Sequence, residues 1–312
     1  MNELIANTTR NAIKVVNICM SGGRTSAYLV EDVLHQLSQG CFVDKYEFIV
    51  TFSNTGREHE KTLEFVDKCD RRWQELYGVP VIWLEAVVHN GRVSSTHKVV
   101  DFESADRHGG VFEDVVVKYG LPNGNFLHCT RELKENPIIS YMLSLGHTQG
   151  ATTKKASYET WIGIRADEPK RLGGKRNGRQ NKVFPLAGEL IEGIDFSCDK
   201  QDVLDFWESM PFDLGIPEHQ GNCVDCHKKS NKKLALVYSE TPKVFNFTAY
   251  LDNQYSEVKA QVIDEKLIPR KRFRGYKNTK ELIASFDLSE CNPKDYSEES
   301  GGCGESCEPF MS

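Results

Sequence analysis

Cysteines are the first residues in this chain whose types and spacing could do chemistry. Of ten cysteines, two form a Cys-x-x-Cys pair, Cys223 and Cys226. Two cysteines at this spacing can ligate zinc, ligate an iron–sulfur cluster or cycle between dithiol and disulfide. Nothing in the sequence points to export, so clustered cysteines indicate metal, cluster or redox chemistry rather than disulfides. The other cysteines of the region from residue 129 onward are Cys129, Cys198, Cys291, Cys303 and Cys307.

A loop rich in serine and glycine offers a second chemistry. It follows a β-branched run, precedes apolar residues at helical spacing, and reads Ser21-Gly22-Gly23-Arg24-Thr25-Ser26. Glycines in a strand-to-helix loop let backbone N–H groups turn towards one point, and a helix N-terminus favours negative charge. The hydroxyls add hydrogen-bond donors and the arginine adds charge. We therefore expect this loop to bind phosphate or sulfate; a plain glycine-rich turn is the alternative reading.

The elements that must position these residues follow from hydrophobic periodicity. Strands are predicted at 14–20, 46–52, 79–84 and 158–165, and helices at 24–37, 58–77, 129–145, 200–209, 228–239 and 241–264. Strand and helix alternate in the first half, which predicts an α/β fold with a doubly wound parallel sheet. Such sheets bind ligands beyond the carboxyl ends of their strands, where the Ser21–Ser26 loop and Asn54-Thr55-Gly56 would both lie. We expect an α/β domain over 1–230, a smaller helical region over 231–287 and a mobile, cysteine-containing tail over 288–312.

Composition and charge bound the class of protein. With 312 residues, 39% of them hydrophobic and 27% charged, the chain can bury a core, which excludes wholesale disorder. The net charge of −6 argues against a generic polyanion binder. No apolar run is long enough for a membrane helix and no secretory signal is evident, so we expect a cytoplasmic protein without membrane association. Two basic segments, 165–182 and 270–277, keep nucleic acid open as a partner; solvated surface is the alternative.

Several motifs together resemble one family. The Ser21–Ser26 loop is similar to the pyrophosphate (PP) loop, Ser-Gly-Gly-x-Asp-Ser, of the adenine nucleotide α-hydrolase-like superfamily. Asn54-Thr55-Gly56 and Trp161-Ile162-Gly163-Ile164-Arg165-Ala166-Asp167-Glu168 resemble segments of the phosphoadenosine phosphosulfate reductase family. The resemblance covers roughly residues 14–230 and implies that Arg165 and Arg171 help to hold an adenine nucleotide. Thr25 replaces the usual aspartate, which puts ATP hydrolysis in doubt but not anion binding.

The cysteines extend the resemblance. Cys129, followed by Lys134 and Pro137, is similar to the Cys-Cys segment of iron–sulfur adenylylsulfate reductases, which join it to a later Cys-x-x-Cys around a 4Fe–4S cluster. The resemblance thus implies such a cluster on Cys129, Cys223 and Cys226, with zinc as the alternative. Thr130 replaces the second cysteine of the pair. The fourth ligand stays open among His128, Cys198, Cys291, Cys303 and Cys307.

The tail carries the last part of the resemblance. Cys303-Gly304 is similar to the Glu-Cys-Gly tail of sulfonucleotide reductases, although Gly302 replaces the glutamate. It implies that Cys303 attacks the sulfate sulfur; ligation or a disulfide with Cys307 is the alternative.

Three functions follow as expectations. The first is an oxidoreductase that binds phosphoadenosine phosphosulfate (PAPS) or adenosine phosphosulfate (APS) and releases sulfite with a thioredoxin-like reductant. The alternative is a cluster-containing sulfur transferase that uses ATP to thiolate nucleic acid. The third is a nucleotide or redox sensor that has lost the chemistry.

Overall fold

The computed structural model describes residues 13–151, 154–172, 180–291 and 310. The strands are β1 (Lys14–Met20), β2 (Tyr46–Ser53), β3 (Val81–Val87), β4 (Thr96–Val100), β5 (Tyr158–Ile162), β6 (Lys182–Val183), β7 (Gln261–Ile263) and β8 (Lys266–Ile268). The helices are α1 (Arg24–Ser38), α2 (Glu60–Tyr77), α3 (Gly110–Tyr119), α4 (His128–Thr130), α5 (Asn136–Ser144), α6 (Pro169–Leu172), α7 (Lys200–Ser209), α8 (Asn231–Glu240), α9 (Val244–Tyr255) and α10 (Thr279–Ile283).

Six strands form one mostly parallel sheet in the order β4-β3-β2-β1-β5-β6. β1 pairs in parallel with both β2 and β5, and only β4 runs antiparallel to its neighbour. The register places Ile18 of β1 beside Val50 of β2 and Trp161 of β5. This confirms the predicted α/β fold. The loops after β1, β2 and β5 therefore meet at one edge of the sheet.

Helices cover both faces of the sheet, which explains why β1 is mostly apolar. Its buried polar side chain, Asn17, accepts a hydrogen bond from Thr51 Oγ1 at 2.9 Å. Val16, Ile18 and Met20 belong to one buried cluster with side chains of α1, α2 and α7. Cys19 belongs to a second cluster on the opposite face, which includes Ile138 of α5. Successive side chains of a strand point to opposite faces, so a strand covered on both sides has no polar face.

The predicted helix at 129–145 is present and contains an irregular turn. Arg131–Glu135 forms a π-helical turn between α4 and α5, and Pro137 lies in the first turn of α5. Proline lacks the N–H that would hydrogen-bond back to residue 133, so the regular pattern cannot run through this point. The π turn places Cys129 and Lys134 on the same side, where both line one cavity.

Two regions differ from the sequence predictions. The middle segment contains β4 and α3, for which no element was predicted. The helix predicted over 241–264 ends at Tyr255 and is followed by the β7–β8 hairpin. The turn of this hairpin is formed by Asp264 and Glu265, both at positive φ, as a tight two-residue hairpin turn requires. The sequence feature that could have predicted this hairpin is therefore the Asp264-Glu265 pair, which lies within a stretch of helical periodicity.

The end of the chain is held in the core at one point. Phe310 is 2% exposed and lies in the buried cluster of Ile138 and Tyr158. Its backbone N–H donates to Glu135 Oε1 at 2.8 Å, and its carbonyl oxygen accepts from Lys182 Nζ. The tail predicted to be mobile over 288–312 is therefore fixed at this residue. In the described ranges, none of the helices has the length and apolarity needed to cross a membrane.

Candidate functional site

The Ser21–Ser26 loop forms a compact turn between β1 and α1. Gly22 has a φ of +83°. A side chain there would press on Thr62, since a Cβ would lie 2.7 Å from Thr62 Cγ2. Ser26 Oγ accepts from the Ser21 N–H at 3.0 Å and donates to the Gly23 carbonyl oxygen at 3.0 Å. Among the described residues, α1 has neither a side-chain N-cap nor an acidic residue in its first turn. No side chain of these residues therefore caps the first N–H groups of α1, and the start of a helix favours negative charge.

Arg24 is turned to one side of this loop. Its guanidinium forms a bidentate pair with Asp213, with Nε to Oδ1 at 2.6 Å and Nη2 to Oδ2 at 2.5 Å. Burial alone would raise the pKa of Asp213, but Arg24 outweighs burial and lowers it. Asp213 thus offsets the charge that the sequence suggested Arg24 would bring to the anion.

Arg165 reaches the loop from the end of β5. Its Nη1 donates to Thr25 Oγ1 at 3.1 Å, and its Nε donates to Asp167 at 2.8 Å. Glu168 links the two predicted arginines, because it accepts from the Arg165 backbone N–H at 3.2 Å and from Arg171 Nη1 at 2.6 Å. The structure therefore brings Arg165 into contact with the Ser21–Ser26 loop. Arg171 is linked to Arg165 through Glu168.

Gly163 sets the distance between β5 and the start of α1. A Cβ at this position would lie 3.0 Å from Ser26 Cα and 3.3 Å from Ser26 N. If the Ser21–Ser26 loop binds an adenine nucleotide, as the sequence predicts, Gly163→Ala should push this loop outward and raise the dissociation constant of the nucleotide about tenfold, because overpacking costs about 1–3 kcal/mol. Titration calorimetry measures this. Gly110→Ala is the matched control, since its Cβ would meet Asp106 Oδ2 at an ordinary 3.5 Å. Equal affinities for Gly163→Ala and the wild type would contradict the prediction.

The Asn54–Gly56 segment is fixed by two carboxylates, those of the buried Glu85 and the half-buried Glu58. Asn54 Nδ2 donates to Glu85 Oε1 at 2.6 Å, and Asn54 Oδ1 accepts from the Gly56 N–H at 3.1 Å. Thr55 Oγ1 and its backbone N–H both donate to Glu58. These bonds hold the loop after β2 in one conformation, with Thr55 aimed at the cysteines.

Three cysteines predicted as metal ligands line one small cavity beside this loop. Cys129 comes from α4, and Cys223 and Cys226 come from the turn between α7 and α8. The turn is attached to the loop after β2, since the Val224 N–H donates to the Arg57 carbonyl oxygen at 3.1 Å. Thr55 Oγ1 lies 3.3 Å from Cys223 Sγ. The fold thus brings these three cysteines to the wall of one cavity.

A buried ion cluster holds the Cys-x-x-Cys turn in place. Asp225, 1% exposed, lies 2.9 Å from Arg57 Nη2 and 3.8 Å from Arg272 Nη2. It also accepts from the Thr248 hydroxyl. Burial alone would raise the pKa of Asp225, but Arg57 and Arg272 hold it well below its usual range. Beneath the turn, Lys229 Nζ donates to the Val224 carbonyl oxygen at 2.9 Å.

The cavity is small, buried and positively charged. Its volume is about 20 Å³, and Lys134, Lys228 and Arg272 share its wall with the thiols. Burial raises the pKa of Cys129, and burial with nearby Glu58 raises the pKa of Cys223 to about 12. Binding to a metal would deprotonate these thiols. Within the described ranges, no three histidine, cysteine, aspartate or glutamate side chains are already arranged to hold a metal ion.

Two features of the cavity fit a metal centre: its cysteine thiols, and buried N–H groups that have no hydrogen-bond partner in the part of the chain that the structure describes. Thiolates are preferred ligands of zinc and of iron–sulfur clusters. Among the described residues, Arg272 Nε and Nη1 are buried with no hydrogen-bond partner. Buried N–H groups without partners are costly, and an anionic sulfur-bound group in the cavity would accept from them. The volume matches a single atom-sized ligand, so a cluster would require the walls to move apart.

The predicted fourth ligands lie elsewhere. His128 Nε2 donates to the Gly120 carbonyl oxygen at 2.9 Å, away from the cavity wall. Cys198 lies in the α1–α2–α7 cluster, and Cys291 follows the turn after α10, beside α8. Cys303 and Cys307 lie outside the described residues. For His128, Cys198 and Cys291 the fold therefore corrects the list of candidates.

His227 is the residue that the sequence reasoning missed. It lines the cysteine cavity, and its side chain is 4% exposed. The signal was its place directly after Cys226, in a Cys-x-x-Cys-His sequence.

The burial of Cys198 leads to a prediction about its reactivity. Burial, with Asp202 nearby, raises its pKa to about 12. A thiol with this pKa is almost entirely protonated at pH 8, and the thiolate is the reactive form. We expect iodoacetamide at pH 8 to leave Cys198 unmodified in the native protein and to alkylate it after unfolding, as read by peptide mass spectrometry. Rapid native labelling would show an exposed, ionised thiol and contradict this.

The basic segment at 270–277 is folded inward rather than displayed. Arg272 is 2% exposed, and Arg270 Nη1 donates to the Tyr119 carbonyl oxygen at 2.7 Å. Arg274 donates to the backbone carbonyls of His227 and Lys229. The three arginines of this segment are therefore engaged within the fold, whereas Tyr276 remains 63% exposed. Of the other segment, residues 173–179 lie outside the described residues.

Comparison with known proteins gives one relative. No protein-family model matches the chain. The chain is 30% identical, over an alignment of 326 residues, to the uncharacterized nin region protein ORF290 of Escherichia phage lambda. The alignment covers 94% of each protein. The chain therefore belongs to the same family as the phage lambda nin region protein ORF290.

Proposed function

We propose that this protein is a sulfonucleotide-reductase-like enzyme that binds an adenine nucleotide at the Ser21–Ser26 loop. One observation carries the proposal: Thr55, in the loop after β2, contacts Cys223 of the three-cysteine cavity at 3.3 Å. A loop suited to an anion and a sulfur-rich cavity thus share one edge of the sheet. This combination favours chemistry at the sulfur of a nucleotide-bound sulfate.

The nucleotide would be held by its charged groups. The uncapped N–H groups at the start of α1 would donate to the anion, and Arg165, which contacts Thr25, would contribute a positive charge beside it. Asn54, fixed by Glu85, keeps the neighbouring loop in place.

The proposed reaction proceeds in two steps. The thiolate of Cys303 attacks the sulfate sulfur, so that an S–S bond forms while the S–O bond to the nucleotide phosphate breaks. A thioredoxin-like dithiol then attacks the cysteine sulfur, releases sulfite, and becomes a disulfide by giving up two electrons.

We further propose that Cys129, Cys223 and Cys226 hold a metal centre. The narrow cavity favours zinc, whereas the 4Fe–4S cluster that the sequence predicts would require the cavity walls to move apart. A cluster would supply electrostatic and redox chemistry beside the nucleotide, whereas zinc would make these cysteines structural. Lys134 and Lys228 would balance the negative charge of the thiolates.

An anaerobic binding and turnover experiment tests the function. We expect PAPS or APS to bind more tightly than ATP, and to release sulfite in the presence of a dithiol. With the dithiol omitted, mass spectrometry should find an added SO₃ group on Cys303. Cys303→Ser should abolish sulfite release, while Cys41→Ser, a cysteine away from the site, should not. Tight binding of ATP with no affinity for PAPS or APS would overturn the proposal.

The alternative, ATP-dependent thiolation of nucleic acid, has less support. The basic residues at 270–277 that favoured it are engaged within the fold, including Arg272 beside Asp225.

A further inference from the structure

We propose that His227 is the fourth protein ligand of the metal centre in the cysteine cavity. This inference rests on the proposed metal centre but not on the proposed reaction. It completes a donor set of three thiols and one imidazole.

The first observation is position. His227 shares the wall of one cavity with Cys129, Cys223 and Cys226, which come from two distant parts of the chain. The other described residues once considered as fourth ligands lie outside this wall, as His128 shows through its bond to Gly120.

The second observation is an unpartnered nitrogen. His227 is 4% exposed, and its Nε2 has no hydrogen-bond partner among the residues that the structure describes. A buried ring nitrogen without a partner is costly, and the great majority of buried polar atoms avoid this state. Coordination of a metal by Nε2 would remove that cost.

The third observation is the backbone support of the residue. The His227 carbonyl oxygen accepts from Arg274 Nη1 at 3.3 Å, and Arg274 also bonds Asn231 Oδ1 at 3.0 Å. Arg274 has a φ of +56°, so its backbone adopts an uncommon conformation at this point. These bonds connect the segment after the hairpin to the backbone of His227.

The donor chemistry fits this assignment. Three cysteines and one histidine form a known tetrahedral set for zinc, and imidazole also replaces thiolate on iron in some iron–sulfur centres. A centre closed by His227 has no open coordination position. Under this proposal the centre supports or tunes the site and does not carry sulfur to a substrate.

The test uses the full-length protein, purified without air, with His227→Ala, His227→Cys and the control His128→Ala. Iron, sulfide and zinc are measured per chain, and circular dichroism reports folding. We expect His227→Ala to lose metal to a chelator at least about tenfold faster, while His227→Cys retains it and His128→Ala resembles the wild type.

A spectroscopic readout identifies the ligand directly. If the metal is zinc, X-ray absorption should show three sulfurs and one nitrogen in the wild type, with the nitrogen lost in His227→Cys. If it is iron, pulsed EPR of the reduced protein should show a directly bound nitrogen that the same variant lacks. A wild-type centre with four sulfurs, or with its nitrogen signal unchanged in His227→Cys, overturns the proposal, as does a protein that takes up neither metal.

The outcomes for the two proposals are separable. A wild-type protein with bound metal and His227 coordination, but without affinity for PAPS or APS, would support this inference and reject the proposed reaction. Sulfite release by His227→Ala at the wild-type rate with its metal retained would do the reverse.

Discussion

Replacing Asp225 with alanine should lower the free energy of unfolding by about 3–5 kcal/mol, the cost of removing one partner from a buried ion pair. Asp225 lies between the guanidinium groups of Arg57 and Arg272, which are themselves largely buried. Both arginines pack against aromatic rings, Arg57 over Phe247 at 4.3 Å and Arg272 over Phe112 at 4.9 Å. Without the carboxylate, two buried positive charges would face each other unpaired.

Urea unfolding followed by circular dichroism measures this effect. Asp225→Asn keeps the shape and the bond from Thr248 but removes the charge, so it should show most of the loss. The control is Glu192→Gln, whose carboxylate pairs with the exposed Lys14 and Lys45 and should therefore change the urea midpoint little. If Asp225→Ala and Glu192→Gln unfold at the same urea concentration, the ion cluster does not stabilise the fold as argued.

Under the proposed function, replacing Arg165 with alanine should weaken adenine nucleotide binding about 10- to 100-fold. Hydrogen bonds to a charged group contribute about 1.5–3 kcal/mol, and each 1.4 kcal/mol corresponds to about a tenfold change in affinity. Arg165 is a buried arginine that contacts the Ser21–Ser26 loop through Thr25 Oγ1 at 3.1 Å. Its pair with Asp167 fixes its guanidinium beside that loop. Arg165→Lys should recover only part of the loss, because an ammonium group cannot reproduce the planar fork of donors.

Calorimetric titration with PAPS, APS and ATP checks this prediction. Arg71→Ala is the matched control, since Arg71 is an exposed arginine of α2 that pairs with Asp67. Circular dichroism should confirm that Arg165→Ala is folded, because Asp167 and Glu168 lose a partner in this variant. Unchanged dissociation constants in a folded Arg165→Ala protein would remove Arg165 from the nucleotide site.

The fold could be predicted from the sequence where the signal was local and periodic. β1 and β2 are rich in β-branched and apolar residues, and α7 begins at a capping box on Asp199, so the predicted bounds of these elements lie close to the observed ones. The β4 strand and the β7–β8 hairpin were missed for a physical reason. Both are short, carry polar or exposed side chains, and depend on pairing with a neighbour rather than on burial.

The site could be predicted where spacing alone carries the chemistry. Cys223 and Cys226 lie three residues apart in the sequence, and the resemblance to iron–sulfur adenylylsulfate reductases predicted that Cys129 joins them. The roles of Arg272 and His227 could not be predicted, because they depend on which way a side chain points after folding. Arg272 belongs to a basic run that is typical of surface, yet its charge is needed inside, next to Asp225.

Phe310 turns the end of the chain into a tether. Its ring is fixed in the core, and its N–H bonds Glu135, the neighbour of the cavity residue Lys134. Cys307 is three residues away and Cys303 is seven, which limits their reach from this point to about 11 Å and about 25 Å. A reactant on so short a tether has an effective concentration in the millimolar range. A dissolved thiol at micromolar concentration would not compete with the chain's own cysteines for any group that lies within that radius.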